Sequence, residues 1–181
     1  MRDVPPPPLP GEEDAGPSDP ESVARAICLQ SLSQRARTRA ELETALRKRG
    51  VPDDAARAVL TRFAEVGLID DGALAADFAS AAHHERGLSA RAVAIKLRQR
   101  GVDEPDVQAA VSHIDADSEQ AAAQALADRK LRGLRGLDPH VQVRRIVSLL
   151  ARRGYSPGVA YAVARHVVAD AGLEAIAEAD L

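Results

Sequence analysis

Three stretches of this chain end on one signature, and the spacing of that signature dictates the architecture. "LRKRGV" at 46–51 returns as "LRQRGV" at 97–102 and, loosened, as "LARRGY" at 150–155, so that Gly50, Gly101 and Gly154 stand 51 and 53 residues apart. Superposing the glycines brings apolar positions into register. Leu42 and Leu46 fall on Val93 and Leu97, then on Ile146 and Leu150, and the row extends back through Ala90 and Val143. After the glycine, Val59 and Phe63 fall on Ala110 and Ile114, then on Val163 and Val167. Apolar residues spaced i, i+3, i+4 and i+7 make the buried stripe of an amphipathic helix. Such stripes recurring at a fixed period of this size describe a tandem helical repeat in which each unit mainly contacts its neighbours.

Helix punctuation divides each unit into three. Asp19-Pro20 opens a first helix that runs to about Ser33; Thr38 with Glu41 forms a capping box for a second, closed by Gly50; a third runs from about Pro52 to Val66 and stops at Gly67. The fourth begins near Asp70 in "IDD" and ends before Gly87, the fifth spans Ser89 to Arg100, and the sixth spans Asp103 to about Ile114. Three more cover about 118–132, Asp138-Pro139 to Arg153, and Ser156-Pro157 to about Ala171. The predicted fold is all-α, with three tandem three-helix repeats at 20–67, 68–116 and 117–172 forming an elongated, curved body. A disordered, acidic, proline-rich tail is expected at 1–19, a C-terminal tail at 173–181, and a bend or hinge between units two and three at "GLRGLDP", 133–139.

Composition agrees with close-packed helices, because the only aromatic residues are Phe63, Phe78, Tyr155 and Tyr161. Phe63 and Tyr161 fall on expected core positions. Cys28 is alone in an apolar run, which excludes an intramolecular disulfide, reads as a core thiol and fits a reducing compartment. The first residues hold no apolar stretch of signal-peptide length, and nothing downstream approaches the roughly 18 uninterrupted apolar residues of a membrane span. A cytoplasmic protein with no membrane contact is the expectation.

The net charge of -3 conceals a segregation. Residues 1–21 carry Asp3, Glu12, Glu13, Asp14, Asp19 and Glu21 against Arg2 alone. Residues 86–100 carry Arg86, Arg91, Lys96, Arg98 and Arg100 with no acid, whereas 103–119 carry six acids and neither Lys nor Arg. The middle helix of each unit is the basic one.

Catalytic patterns are weak. Asp70-Asp71 reads as helix capping rather than a carboxylate pair, since adjacent helical residues do not face each other. His83-His84-Glu85 lacks the i, i+4 spacing that sets two imidazoles on one face for a metal, and reads as exposed surface. With no Gly-rich phosphate loop, Ser/His/Asp set or cysteine pair in the sequence, the expectation is a non-enzymatic protein without cofactor or metal.

The arginines that precede the glycines have a plain reading and a functional one. A cation in the last helical turn meets free carbonyls and the negative dipole end, worth about 0.3–1 kcal/mol. That accounts for Arg49, Arg100 and Arg153, but not for the surplus at Arg37, Arg39, Arg47, Lys48, Arg91, Lys96, Arg98, Arg129, Lys130, Arg132, Arg135, Arg144, Arg145 and Arg152. Clustered cations repel, so a polyanionic partner, nucleic acid or an acidic protein surface, is the better account, and these seventeen residues form the candidate basic face. Too few aromatics exist to stack bases along a single strand, and no Asn exists anywhere to read adenine edges. Weak, non-specific phosphate contact shared with a protein surface remains.

Residues 24 to about 170 resemble the RecX family, regulators of the RecA recombinase. The resemblance is carried by "RARTRAEL", "L..RGV", "VGLIDD" and "RGLSARAVAIKLRQRGVD". It implies three tandem three-helix repeats and a non-enzymatic inhibitor that binds in the groove of the RecA-DNA filament, limiting strand exchange and coprotease activity in DNA repair and the SOS response; the chain itself is expected to be a monomer. The Arg- and Ala-rich composition resembles actinobacterial members. Two departures stand out: the family's "DD" is usually followed closely by an aromatic, where this chain has Leu74 with Phe78 one turn on, and the basic motif after the fourth helix survives only as Arg86-Gly87. A stand-alone DNA-binding repressor built from three-helix units is the alternative; it would need a symmetric dimer and sequence-specific footprints. A structural scaffold is a third reading, and it predicts no salt-sensitive partner.

Overall fold

The structure, a computed structural model, describes residues 19–179, with side chains described for residues 19–172. The expected disordered segment therefore lies outside the described residues save for Asp19. Nine α-helices and no strand occur among the described residues: α1 Pro20–Gln34, α2 Arg39–Lys48, α3 Asp53–Glu65, α4 Asp71–His84, α5 Ala90–Gln99, α6 Glu104–Val111, α7 Ala116–Arg132, α8 Pro139–Arg152 and α9 Pro157–Ala179. Within each consecutive three, every helix packs against the other two.

Local chemistry explains the starts. Thr38 Oγ1 accepts from the Glu41 amide at 3.1 Å while the Glu41 carboxylate accepts from the Thr38 amide at 3.2 Å, the reciprocal box that begins α2. Asp70 caps α4 by accepting from the Ala73 amide at 2.8 Å, so one acid of "IDD" is a cap. Ser89 and Asp115 do the same for α5 and α7, accepting from Ala92 at 3.2 Å and Ser118 at 2.7 Å. Helix α9 differs from expectation in running on to Ala179, past about Ala171, because nothing between those positions breaks it: Gly172 sits within the helix and no proline follows.

The repeat is visible in the cores. Leu42, Leu46, Val93, Leu97, Ile146 and Leu150 are all essentially inaccessible, and each pair belongs to a separate hydrophobic cluster, one per helix trio. Fully burying such side chains is worth about 1.5–3 kcal/mol each. Val59, Phe63, Ala110, Val163 and Val167 are buried as the alignment requires, and Ile114 packs half-buried against its cluster. Cys28 lies in the first cluster, where burial pushes its thiol pKa up.

The chain divides into two compact units, Met1–Ile69 and Asp70–Leu181, so the second and third trios form one body. A joint accounts for that union. The Ser89 amide donates to the Arg153 carbonyl at 3.1 Å, Arg153 Nη1 donates to the Arg86 carbonyl, and the buried Tyr155 hydroxyl donates to the Gly87 carbonyl at 3.2 Å. Glu119 Oε1 accepts from the Ala90 amide at 2.7 Å, tying α7 to the start of α5. Gly154, at φ +92°, lies where a Cβ would come within 2.6 Å of both Ala92 Cβ and Ser89 Oγ. Gly87 is as tight, its absent Cβ position 2.6 Å from Leu126 Cδ1. Close approach, as well as helix termination, requires glycine at both.

Three expectations are corrected here. The 133–139 segment is a turn inside the third trio rather than a hinge between units: Leu134 is buried in that trio's cluster, and Gln142 Nε2 donates to the Leu134 carbonyl at 3.1 Å. His83 is buried at 3 % exposure, not on the surface, with Nδ1 2.9 Å from the Leu88 carbonyl; only His84 and Glu85 are exposed. Tyr161 is 54 % exposed, whereas Tyr155 takes the core position; on α9 the apolar stripe follows Ala160, Val163, Ala164, Val167 and Val168, which turns residue 161 outward.

Candidate nucleic-acid and protein interface

The seventeen candidate cations do not share one environment. On α2, Arg47 pairs with Glu43 at 3.3 Å one turn back, while Lys48 and Arg49 are exposed. Arg39 reaches across to α3, donating to the Leu60 carbonyl at 3.4 Å and to Thr61 Oγ1 at 3.2 Å. Arg37 is half-buried, and its Nε is buried with no hydrogen-bond partner. Those two side chains are partly spent on the first trio's own packing.

On α5, Arg98 grips Glu104 of the following helix through two hydrogen bonds of 2.8 and 2.7 Å. That fork, with a further bond from Gln108, holds the Glu104 carboxyl down at about 2, far below its ordinary 4.5. Arg100 lies 5.7 Å from the centre of the Phe78 ring, and Arg86 covers the same ring at 5.9 Å. Arg91 and Lys96 are exposed.

The third trio differs. Arg129, Arg132, Arg135, Arg144, Arg145 and Arg152 are exposed, Lys130 is half-buried, and none of them meets a carboxylate among the described residues. Arg153 alone is committed, through the joint with Arg86. Four cations of this trio border one groove of about 1700 Å³ between α7, α8 and α9: Arg132, Arg135 and Arg144, together with Arg165, which the sequence reading did not single out. His140, Tyr161 and the apolar Leu131, Val143, Val147, Val167 and Val168 complete its lining, with the acids Asp128 and Asp170. On α8 the residues His140, Val143, Arg144, Val147 and Ser148 follow i, i+3, i+4, i+7, i+8, a face beside the buried Ile146–Leu150 stripe. On α9, Arg165 lies one turn after Tyr161 with its guanidinium 5.9 Å from the ring centre, a spacing the sequence displayed but that placing Tyr161 in the core concealed.

No cluster of His, Cys, Asp and Glu able to hold a metal occurs among the described residues, and no described helix is long and apolar enough to cross a membrane. The surface offers cationic, hydrogen-bonding contact to an anion, together with apolar contact in the groove.

Comparison with known proteins agrees with this geometry at each trio. Residues 24–63 match the first three-helix domain of RecX, 70–111 the second and 117–163 the third. The regulatory protein RecX of Streptomyces coelicolor is 47 % identical over 161 residues, covering 89 % of this chain and 86 % of that protein. Its counterpart in Thermobifida fusca is 48 % identical over 160 residues, 88 % of this chain and 86 % of that one. A crystal structure of RecX from Lactobacillus salivarius superposes with a TM-score of 0.72 at 18 % identity, over 83 % of this chain and 97 % of that chain, a likeness of fold. Three matched domains in order and close actinobacterial relatives over nearly the whole length place the chain in the RecX family of regulatory proteins.

Proposed function

We propose that the protein binds the RecA-DNA filament and inhibits RecA, restraining strand exchange and coprotease activity in DNA repair and the SOS response. It acts as a cytoplasmic monomer, without cofactor and without chemistry of its own. The observation that carries this reading is the third trio's set of exposed arginines with no carboxylate partner, in a chain of a regulatory family. Uncompensated cations side by side repel one another, so their retention calls for an external anion, and a nucleoprotein filament presents both phosphates and acidic protein surface. Arg129, Lys130, Arg145 and Arg152, outside the groove, are assigned to phosphate contact, which is weak and blind to sequence. The domain limits expected from the sequence, with repeats ending near 67, 116 and 172, are retained in this reading as the units that contact the filament.

The test is RecA's DNA-dependent ATP hydrolysis, titrated with the protein at rising salt. Inhibition that weakens steeply with ionic strength supports the reading; no inhibition at any salt contradicts it. A protein that instead footprinted a defined duplex site in the absence of RecA would be a repressor.

A further inference from the structure

We propose that the groove between α7, α8 and α9 is the docking site for an acidic amphipathic helix or strand of a protein partner, one that lays aliphatic side chains on the valine floor and carboxylates on the arginine rim. The inference rests on the reading that the third trio's cations meet the partner, and it divides that surface: protein in the groove, phosphate outside it.

Three features select the occupant. The groove's volume, about 1700 Å³, exceeds the roughly 300–1,000 Å³ typical of small-molecule sites, so a polypeptide segment fits its scale better than a metabolite. Its floor is aliphatic, half-buried Val143 and Val147 lying over buried Val167 and Val168, so that aliphatic side chains gain about 25 cal/mol for each Å² of apolar surface they bury there, while the exposed ring in its lining, Tyr161, already carries the Arg165 guanidinium 5.9 Å from its centre. The rim is cationic and uncompensated. Arg132, Arg135 and Arg144 meet no carboxylate among the described residues, and Arg165 sits over Tyr161 with its charge unneutralised. Of the two acids at the edge, Asp170 is already within 3.3 Å of His166 Nε2. The rim is also held in place, because buried Leu134 and the Gln142 bond to its carbonyl fix the turn that presents Arg135. Charge complementarity therefore asks for acid, and the floor asks for that acid to be interspersed with aliphatic residues.

The probe is a fluorescein-labelled 18-residue peptide of Glu and Leu, with Leu at i, i+3, i+4 and i+7, followed by fluorescence anisotropy against the full chain. Two control peptides replace Leu by Ser or Glu by Lys, and a thirty-residue oligothymidine serves as the nucleic-acid probe. The expected result is salt-sensitive binding of the Glu/Leu peptide, at least fivefold weaker for the Ser control and absent for the Lys control. Arg135→Ala with Arg144→Ala should weaken the peptide fivefold or more while moving oligothymidine affinity less than twofold. Both positions are exposed, and unchanged circular dichroism and melting temperature would verify folding. Equal affinity for the Glu/Leu and Ser peptides, or peptide affinity unchanged in the double variant, overturns the proposal. Loss of oligothymidine binding with peptide binding intact also overturns it, and reassigns the groove to nucleic acid. RecA inhibition by the parent protein is scored separately, so failure of the groove and failure of the filament reading give different patterns.

Discussion

Helices α5 and α8 occupy the same place in successive repeats and end on the same arginine-glycine signature, yet their cations have different fates. In α5, Arg98 is held in a two-bond fork by Glu104, and Arg100 lies over Phe78. In α8, Arg144, Arg145 and Arg152 project without a carboxylate partner, and Arg153 alone is drawn inward, across the joint to Arg86. The Arg98 fork comes from the helix that follows. Helix α6 opens with Glu104 and Asp106 in its first turn, whereas α9 opens with Pro157 and Gly158 and has no acid there. Arg98 is thus neutralised by the acidic start of the next helix, whereas its counterpart three residues before the glycine of α8 is Ala151; Arg91 and Arg144, each ten residues before its glycine, are both exposed.

The comparison is broken or sharpened most strongly at the glycines. Gly50 and Gly154 both have positive φ, +73° and +92°, but a Cβ on Gly50 meets nothing within 4 Å, whereas one on Gly154 collides with Ala92 and Ser89. Gly50→Ala should cost about 1–2 kcal/mol for the left-handed backbone, and Gly154→Ala should cost a further 1–3 kcal/mol or so from overpacking. Denaturant melts of the two variants decide it; equal losses would mean that the joint between the second and third trios is not packed as described.

A smaller effect is expected at high pH. Burial, helped by nearby Glu119 and opposed by Arg153, pushes the Tyr155 hydroxyl up to about 12 from an ordinary 10. The unfolded chain therefore releases that proton first as pH rises, so the stability linked to it is intact below pH 10 and is lost on the way to pH 12. The melting temperature should fall across that window more steeply in the parent than in Tyr155→Phe, although the variant, lacking the bond to Gly87, starts lower. Parallel curves would show that Tyr155 does not titrate from a buried site.

The smallest effect is the Arg98 fork. Because the Glu104 carboxyl titrates at about 2 when folded, against an ordinary 4.5, its contribution is present above pH 4.5 and disappears as pH falls toward 2. Arg98→Ala should lower the melting temperature slightly at pH 7, with the gap from the parent closing below pH 4.5; both partners are exposed, so the gap is small. A gap that persists unchanged at pH 2 would mean that Arg98 contributes through packing rather than through the carboxylate.

The sequence displayed the fold through periodicity, because a stripe such as Leu42–Leu46 or Ile146–Leu150 and a cap such as Thr38–Glu41 are local and repeat in register. It displayed the interface less well. That Arg98 is held by Glu104 while Arg91 on the same helix is exposed depends on which residues of the next helix lie opposite, a tertiary fact. Tyr161 and His83 were misplaced for related reasons. The glycine register sets Tyr161 on Arg57 and Gln108, both exposed, so reading it as core followed its aromatic type rather than its position, and a histidine pair read by metal spacing gave no hint that Leu88 would offer the first imidazole a buried carbonyl.

The central claim, that cations left uncompensated in the third trio carry partner binding while those neutralised in the second do not, is tested most directly by titrating RecA's DNA-dependent ATP hydrolysis with Arg144→Ala/Arg145→Ala and with Arg98→Ala at low salt. The account predicts that the α8 double variant loses inhibition fivefold or more with its melting temperature nearly unchanged, that this loss shrinks as salt rises, and that Arg98→Ala stays within twofold of the parent. Full inhibition by the α8 variant, or an equal loss from Arg98→Ala, would contradict it.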